Sequence, residues 1–304
     1  MNENQRILAL TIARLPGLKP NEKVFLCRHF ADVPSEFFSG GFLAIDSLIE
    51  RPLSKRQLST PWNIDELREK AENDALLAKK WGVSFVFCFE SAYPPQLLEI
   101  FDPPPVIFYR GGLPDPTLPH IAIVGTRKPT GAGVSAAFNF AREFGRLGFP
   151  VVSGLALGID AIAHKGCVES GGRTFAVLGS SPDEVYPKTN RMLAQRILDT
   201  GGGLLSEYPP GTKPNAWQFP ARNRLIAGLA RGVLIIEAPE KSGALITARF
   251  AAEQNRDLFV TRLSLNSSRG TGCVKLAEDG VKAVASAEDI LQEWGWSCTF
   301  GGEE

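Results

Sequence analysis

The residues in this sequence best suited to chemistry sit in glycine-rich loops with basic side chains and carboxylates. The first, Val124-Gly125-Thr126-Arg127-Lys128-Pro129-Thr130-Gly131, lies between an apolar run and an amphipathic stretch from Val134 to Leu147. Glycine allows close backbone approach, a helix N-terminus favours an anion, and Arg127 adds a planar fork matched to phosphate. Gly125, Arg127 and Lys128 are thus candidate anion ligands, the alternative being a tight strand-to-helix turn with a surface arginine. The loop is neither GxGxxG nor GxxxxGK[ST], which argues against NAD or ATP use.

The second loop, Ser153-Gly154-Leu155-Ala156-Leu157-Gly158-Ile159-Asp160, is followed by Ala163-His164. Gly154 and Gly158 bracket a turn whose amides could cradle another phosphate. Asp160 and His164 lie four apart on one helical face and can hydrogen-bond. The pair invites an acid–base reading, yet no nucleophile or metal cluster completes it, so an orienting role is expected. In Tyr186-Pro187-Lys188-Thr189-Asn190, Lys188 can reach a phosphate; in Leu205-Ser206-Glu207-Tyr208-Pro209, Ser206 and Glu207 can accept bonds from a base or a neighbouring loop. Glu207 is the best acid–base carboxylate if the protein is an enzyme, and otherwise anchors an arginine.

The fifth segment, Phe219-Pro220-Ala221-Arg222-Asn223-Arg224, puts two guanidinium groups and an amide beside a ring. Backbone charge plus a stacking platform is what single-stranded nucleic acid requires. The sixth begins at Glu237, which its strand delivers to the sheet edge as an orienting carboxylate, and continues to Ser242-Gly243, which opens a helix carrying Thr247 and gives another helix-terminus anion site. Several phosphate-friendly loops at one sheet edge suit a polymeric polyanion better than one small phosphate. No catalytic residue, metal site or cofactor is expected.

Six short apolar runs must position these loops: Ile121 to Val124, Pro150 to Ser153, Thr174 to Leu178, Gly203 to Ser206, Gly232 to Glu237 and Asp257 to Thr261. Lacking polar alternation, they read as strands covered on both faces, hence an α/β doubly wound, mostly parallel sheet with ligands beyond the strands' carboxyl ends. Val83 to Phe89 and Val106 to Tyr109 read as two further strands. Upstream, helical spacing from Ile7 to Phe30 breaks at Leu15-Pro16-Gly17-Leu18, predicting a small helical module of SAM or helix-hairpin-helix type. Pro52 to Pro61 is a polar connection, and Ile64 to Lys80 is an amphipathic helix with Leu67, Ala71, Leu76 and Leu77 inward. The expected division is 1–80 helical, 81–295 sheet and 296–304 a short tail.

The chain has 304 residues, of which 44% are hydrophobic, with 33 basic and 33 acidic side chains. Because the charges cancel, any polyanion site must be a local patch. Five scattered cysteines form no close CxxC pair, and no stretch approaches the length of a membrane span. A cytoplasmic protein without membrane contact is expected.

In order, Gly125-Thr126-Arg127, Ser153-Gly154-x-Ala156-x-Gly158-Ile159-Asp160-x-x-Ala163-His164, Tyr186-Pro187, Ser206-Glu207, Phe219-Pro220-x-Arg222-Asn223-Arg224-x-Ile226-Ala227-Gly228-Leu229, and Glu237-Ala238 with Ser242-Gly243-x-Leu245-x-Thr247-Ala248 resemble the core of the DNA-processing protein A (DprA/Smf) family. The resemblance implies an extended Rossmann-like fold, single-stranded DNA binding and loading of the RecA recombinase in natural transformation. It also implies a homodimer, with single-strand binding protein as a further partner. It makes Arg127, Lys188, Phe219, Arg222, Asn223 and Arg224 the DNA contacts. The chain departs from the family where Thr261-Arg262 replaces a Pro-Gly and Gly272-Cys273-Val274 replaces a Gly-x-Asn, and no C-terminal winged-helix module is expected after Leu291. The rival reading is a nucleotide or nucleoside-phosphate hydrolase using Glu207 or Glu237, although no PGGxGT signature is present. A scaffold whose N-terminal helices recruit partners is compatible with the first reading.

Overall fold

The computed structural model describes residues 2–46, 48–49 and 62–296. The connection expected at Pro52–Pro61, Cys298 and the tail after residue 296 lie outside the described residues. The strands are β1 Ser84–Phe87, β2 Val106–Gly111, β3 Ile121–Val124, β4 Val151–Ser153, β5 Thr174–Val177, β6 Gly203–Ser206, β7 Gly232–Ile235, β8 Asp257–Thr261 and β9 Lys282–Val284. They form one nine-stranded sheet in the order β1-β2-β6-β5-β4-β3-β7-β8-β9. All neighbours pair in parallel except β1 with β2 and β2 with β6. The chain winds outward from β3 through β4, β5 and β6, then returns to β3's other side with β7. That reversal leaves a crevice at the carboxyl ends of β3, β4 and β7.

Successive side chains of a strand point to opposite faces, and here both faces are covered. Ile121 and Ile123 join a core built with helices Gly131–Arg146, Ile159–Glu169 and Ala287–Glu293. Ala122 and Val124 join the opposite core, with helices Gln218–Leu229 and Ala244–Glu253. The unbroken apolar character of the central strands follows from this double cover. β9 and the helices Pro34–Asp46, Thr271–Glu278 and Ala287–Glu293 went unread in the sequence.

The N-terminal module contains helices Glu3–Arg14, Pro20–Phe30, Pro34–Asp46 and Ile64–Trp81. Its apolar residues, Leu8, Ile12, Leu26 and Ala71 among them, share one cluster with Phe87 and Phe108 of the antiparallel sheet edge. Arg6 strengthens the junction by placing its guanidinium 4.5 Å from the Phe85 ring centroid. The inward face of Ile64–Trp81 holds Ala71 as expected, with Leu67 packed at its edge, but Asp74 and Ala78 are buried there too and Leu76 is 64% exposed. Asp74 takes the inward position because Arg14 grips its carboxylate with two hydrogen bonds of 2.6 Å. A bidentate guanidinium offsets the desolvation that otherwise keeps an aspartate out.

Helices Gly131–Arg146 and Ile159–Glu169 cross with little space between their backbones. A Cβ at Gly166 would overlap the carbonyl oxygen of Phe138. Gly166→Ala is therefore expected to destabilise the fold by about 1–3 kcal/mol through overpacking, lowering the thermal midpoint by several degrees. Thermal denaturation checks this, and an unchanged midpoint would contradict the packing described.

Candidate functional site

At the crevice, Glu237 ends the extension of β7 and is fully buried. Thr130 donates to its carboxylate through the backbone N–H at 2.9 Å and through Oγ1 at 2.7 Å, and Ser267 donates through Oγ at 2.5 Å. Thr130 Oγ1 also accepts from Gly133 N at 3.0 Å, capping helix Gly131–Arg146. A carboxylate at that N-terminus is stabilised by the helix dipole. The helix end expected to receive a phosphate is thus filled by the protein's own anion.

The second loop is organised in the same way. Asp160 is buried against Gly154 and Arg222, and backbone hydrogen bonds from Gly154 and Ala156 reach it. Its carboxyl is held above the usual range chiefly by burial, opposed by the charge of Arg222. Arg222 is 4% exposed and donates from Nη1 to Gly154 O at 2.8 Å and to Val177 O. Burial lowers its pKa to about 10, which leaves it cationic at neutral pH. The close approaches permitted by Gly125, Gly154 and Gly158 are made to Glu237 and Ile159, to Arg222 and Asp160, and to Thr126 and Arg127. These glycines fit loop to loop, and the amide cradle expected at Gly154 and Gly158 is occupied from within.

His164 does not pair with Asp160. Its Nδ1 lies 2.7 Å from Thr174 Oγ1, and burial lowers its pKa to about 3, so the ring is neutral. Ser206 accepts from Tyr208 N at 3.0 Å. Arg224, expected as an exposed DNA contact, is instead 5% exposed. Its two terminal nitrogens each donate to a Glu207 oxygen at 2.7 Å, and Nε lies 2.7 Å from Asp102. Glu207 therefore acts as the anchor of an arginine, and together they fix helix Gln218–Leu229 against the Pro-rich lead to β2.

Three of these groups, Gly125, Asp160 and Arg222, also border a cleft of about 530 Å³ that further residues line. Arg127, Lys128, Phe219, Arg222, Asn223, Ser242, Gly243 and Thr247 line it, with Gly125 and Asp160 at its base. Arg127, Lys128 and Gly243 are exposed, whereas Thr247 is buried. Asn223 ties the walls together by donating from Nδ2 to Gly243 O at 3.2 Å. Lys241 and Arg269, absent from the expected set, are exposed on the same walls. Arg269 sits in the loop after β8, and the rule that ligands meet the carboxyl ends of strands was a signal that could have found it.

A narrow slot adjoins the cleft, bounded by Arg127, Leu157, Tyr186, Pro187 and Phe219. The Tyr186 and Phe219 rings are 5.5 Å apart, and the Arg127 guanidinium carbon lies 6.0 Å from the Phe219 centroid. Asn190 holds the Tyr186 loop in place by donating to Leu155 O at 2.8 Å. Lys188 is exposed on that loop but outside the lining of slot and cleft. A site combining exposed cations, amides and paired rings can hold a phosphate chain and an unstacked base.

The model for the family described as DNA recombination-mediator protein A matches residues 84–295. Protein Smf of Synechocystis sp. is 46% identical over 207 residues, 67% of this chain and 52% of that protein. DNA processing protein DprA of Bacillus subtilis is 42% identical, with 71% of this chain and 72% of that protein covered. The chain thus spans about half the length of the Synechocystis relative. The crystal structure of DprA from Streptococcus pneumoniae superimposes with a TM-score of 0.76 at 34% identity, covering 96% of this chain and 98% of that one. DNA processing protein A from Helicobacter pylori, whose structure is described for its single-stranded DNA binding mode, gives a TM-score of 0.60 at 32% identity, with 70% and 95% covered.

Two outcomes follow from the buried groups. Glu207→Ala leaves Arg224 with Asp102 as its remaining carboxylate and is expected to cost about 1.5–3 kcal/mol for the lost charged hydrogen bonds; urea unfolding measures it, and a loss below about 1 kcal/mol would mean the pair is solvated. His120 and His164 are lowered by burial to about 4 and about 3, so the unfolded chain binds protons below pH 6.5 that the folded chain refuses. Their contribution is full above pH 6.5 and is lost as pH falls towards those values, at a slope approaching about 1.4 kcal/mol per pH unit for each ring. His164→Gln should flatten the decline between pH 6.5 and 5; parallel pH profiles for variant and parent would contradict a neutral buried ring.

Proposed function

The chain belongs to the DNA recombination-mediator protein A family, and from that premise we propose that it binds single-stranded DNA in the crevice between β3, β4 and β7. The observation that carries the reading is the adjacency of an exposed cationic wall, Arg127, Lys128, Lys241 and Arg269, to the Tyr186–Phe219 slot. The cations neutralise successive phosphates, with Arg222 on the floor and Asn223, Ser242 and Gly243 supplying polar contacts. The slot takes a base, which must be unpaired to enter. Lys188 extends the phosphate track beyond the slot. The binding mode described for the Helicobacter pylori relative supports the choice of ligand.

In this reading the protein protects the strand and helps load a RecA-type recombinase, with single-strand binding protein as a further partner. It acts as a homodimer in the cytoplasm, without catalytic turnover. Engagement of Glu207 and Glu237 in holding loops weighs against the hydrolase alternative, since an acid–base carboxylate must reach the substrate. No helix among the described residues is long and apolar enough to cross a membrane.

Arg127→Ala is expected to weaken binding of a fluorescent single-stranded oligonucleotide about tenfold or more. Its melting temperature should stay near that of the parent, because an exposed charge contributes little to folding. Anisotropy titrations at two salt concentrations, with duplex of the same sequence in parallel, test this. Equal affinity for duplex, no salt response, or an Arg127→Ala variant that binds like the parent would overturn the assignment.

A further inference from the structure

Trp217 immediately precedes helix Gln218–Leu229, two residues from Phe219, and its indole is 62% exposed. Isolated exposed apolar side chains are common and usually mean nothing. This one is held in place. The Tyr208 ring packs edge-on against it, with centroids 5.9 Å apart and planes at 84°. The Tyr208 backbone is itself fixed by its N–H donating to Ser206 Oγ, and the turn into Trp217 is closed by Asn215 N donating to Gln218 Oε1 at 2.5 Å. The connecting loop also presents Lys213, which is exposed. Its Gly211 abuts the indole of Trp81, at the end of the last N-terminal helix.

We propose that Trp217, braced by Tyr208, is a second stacking position for the bound strand, carrying it from the Phe219 slot towards the N-terminal helices. The inference rests on the single-strand reading given above and adds to it a residue and a direction. Residues two apart have Cα atoms within about 7 Å of one another, so bases of one strand can reach Phe219 and Trp217 together. An indole stacks on any base, so the position should be tolerant of sequence. Lys213 supplies a cation for the phosphates on this flank. Trp217 lines neither the slot nor the cleft, but it caps the helix whose first turn carries Phe219, and a strand leaving the slot across that helix end, with Lys213 beside it, favours a nucleic acid over a protein as the occupant.

The test uses the full chain, oligothymidylates of graded length, and the variants W217A, W217F and R127A, with melting temperatures as a folding check. Short oligonucleotides that fill only the slot should bind W217A and parent equally. Longer ones should bind W217A about fivefold or more weakly, with W217F recovering most of the loss. The chain has five tryptophans, and quenching of their emission by long oligothymidylate should largely disappear in W217F while anisotropy still reports binding. If parent and R127A behave as the single-strand reading requires, yet W217A matches the parent at every length and W217F keeps the quenching, Trp217 does not touch the strand and the inference falls. A parent that binds no single strand at any length refutes the underlying reading and this inference with it.

Discussion

The crevice depends on one buried carboxylate. Glu237 emerges from the central sheet without solvent, and a charge so placed persists only when its oxygens are fully engaged. Thr130 and Ser267 engage them from the loops after β3 and β8, while Thr126 N donates to the Glu237 carbonyl at 2.7 Å. Three loops are thereby drawn to one point at the place where the winding of the sheet reverses. Arg127 and Lys128 sit between the two residues of the first loop that Glu237 fixes, Thr126 and Thr130, so their side chains are left to project outward.

A division of labour between charges follows. Glu237, Asp160 and Glu207 face inward, where Thr130, Arg222 and Arg224 meet them; Arg127, Lys128, Lys241 and Arg269 face the cleft. A chain with no formal net charge can therefore present a local positive surface. Carboxylates absorbed into the framework do not repel a polyanion as exposed ones would. The same arrangement keeps Arg222 at the floor, desolvated but cationic, where a phosphate would feel it through little water.

Much of this was legible in the sequence, and the failures share one cause. Apolar runs such as Ile121–Val124 and Gly232–Ile235 declare strands because both faces are covered, and the glycine-rich segments after them declare loops at a functional edge. Residue type alone does not say where a charge finds its partner. Arg224 reads as a free cation until the fold brings up Glu207, 17 residues away, and Asp102, 122 residues away. Asp74 likewise displaces Leu76 from the inward face only because Arg14 arrives from another helix. His164 sits one turn from Asp160 yet bonds to Thr174, whose strand faces it. Glycines at 125, 154 and 158 marked close approach correctly, but the approaching groups belong to the protein.

Inward carboxylates leave a cationic wall beside an aromatic slot, and under the function proposed above an unpaired base occupies that slot. Photocrosslinking of a single strand bearing halogenated uracils, followed by mass spectrometry of the adducts, reports on it directly because the reaction favours an aromatic ring in contact with the base. Adducts are expected at Phe219 and Tyr186, suppressed by unlabelled single strand and absent with duplex. Adducts confined to the N-terminal helices, or formed equally with duplex, would contradict it.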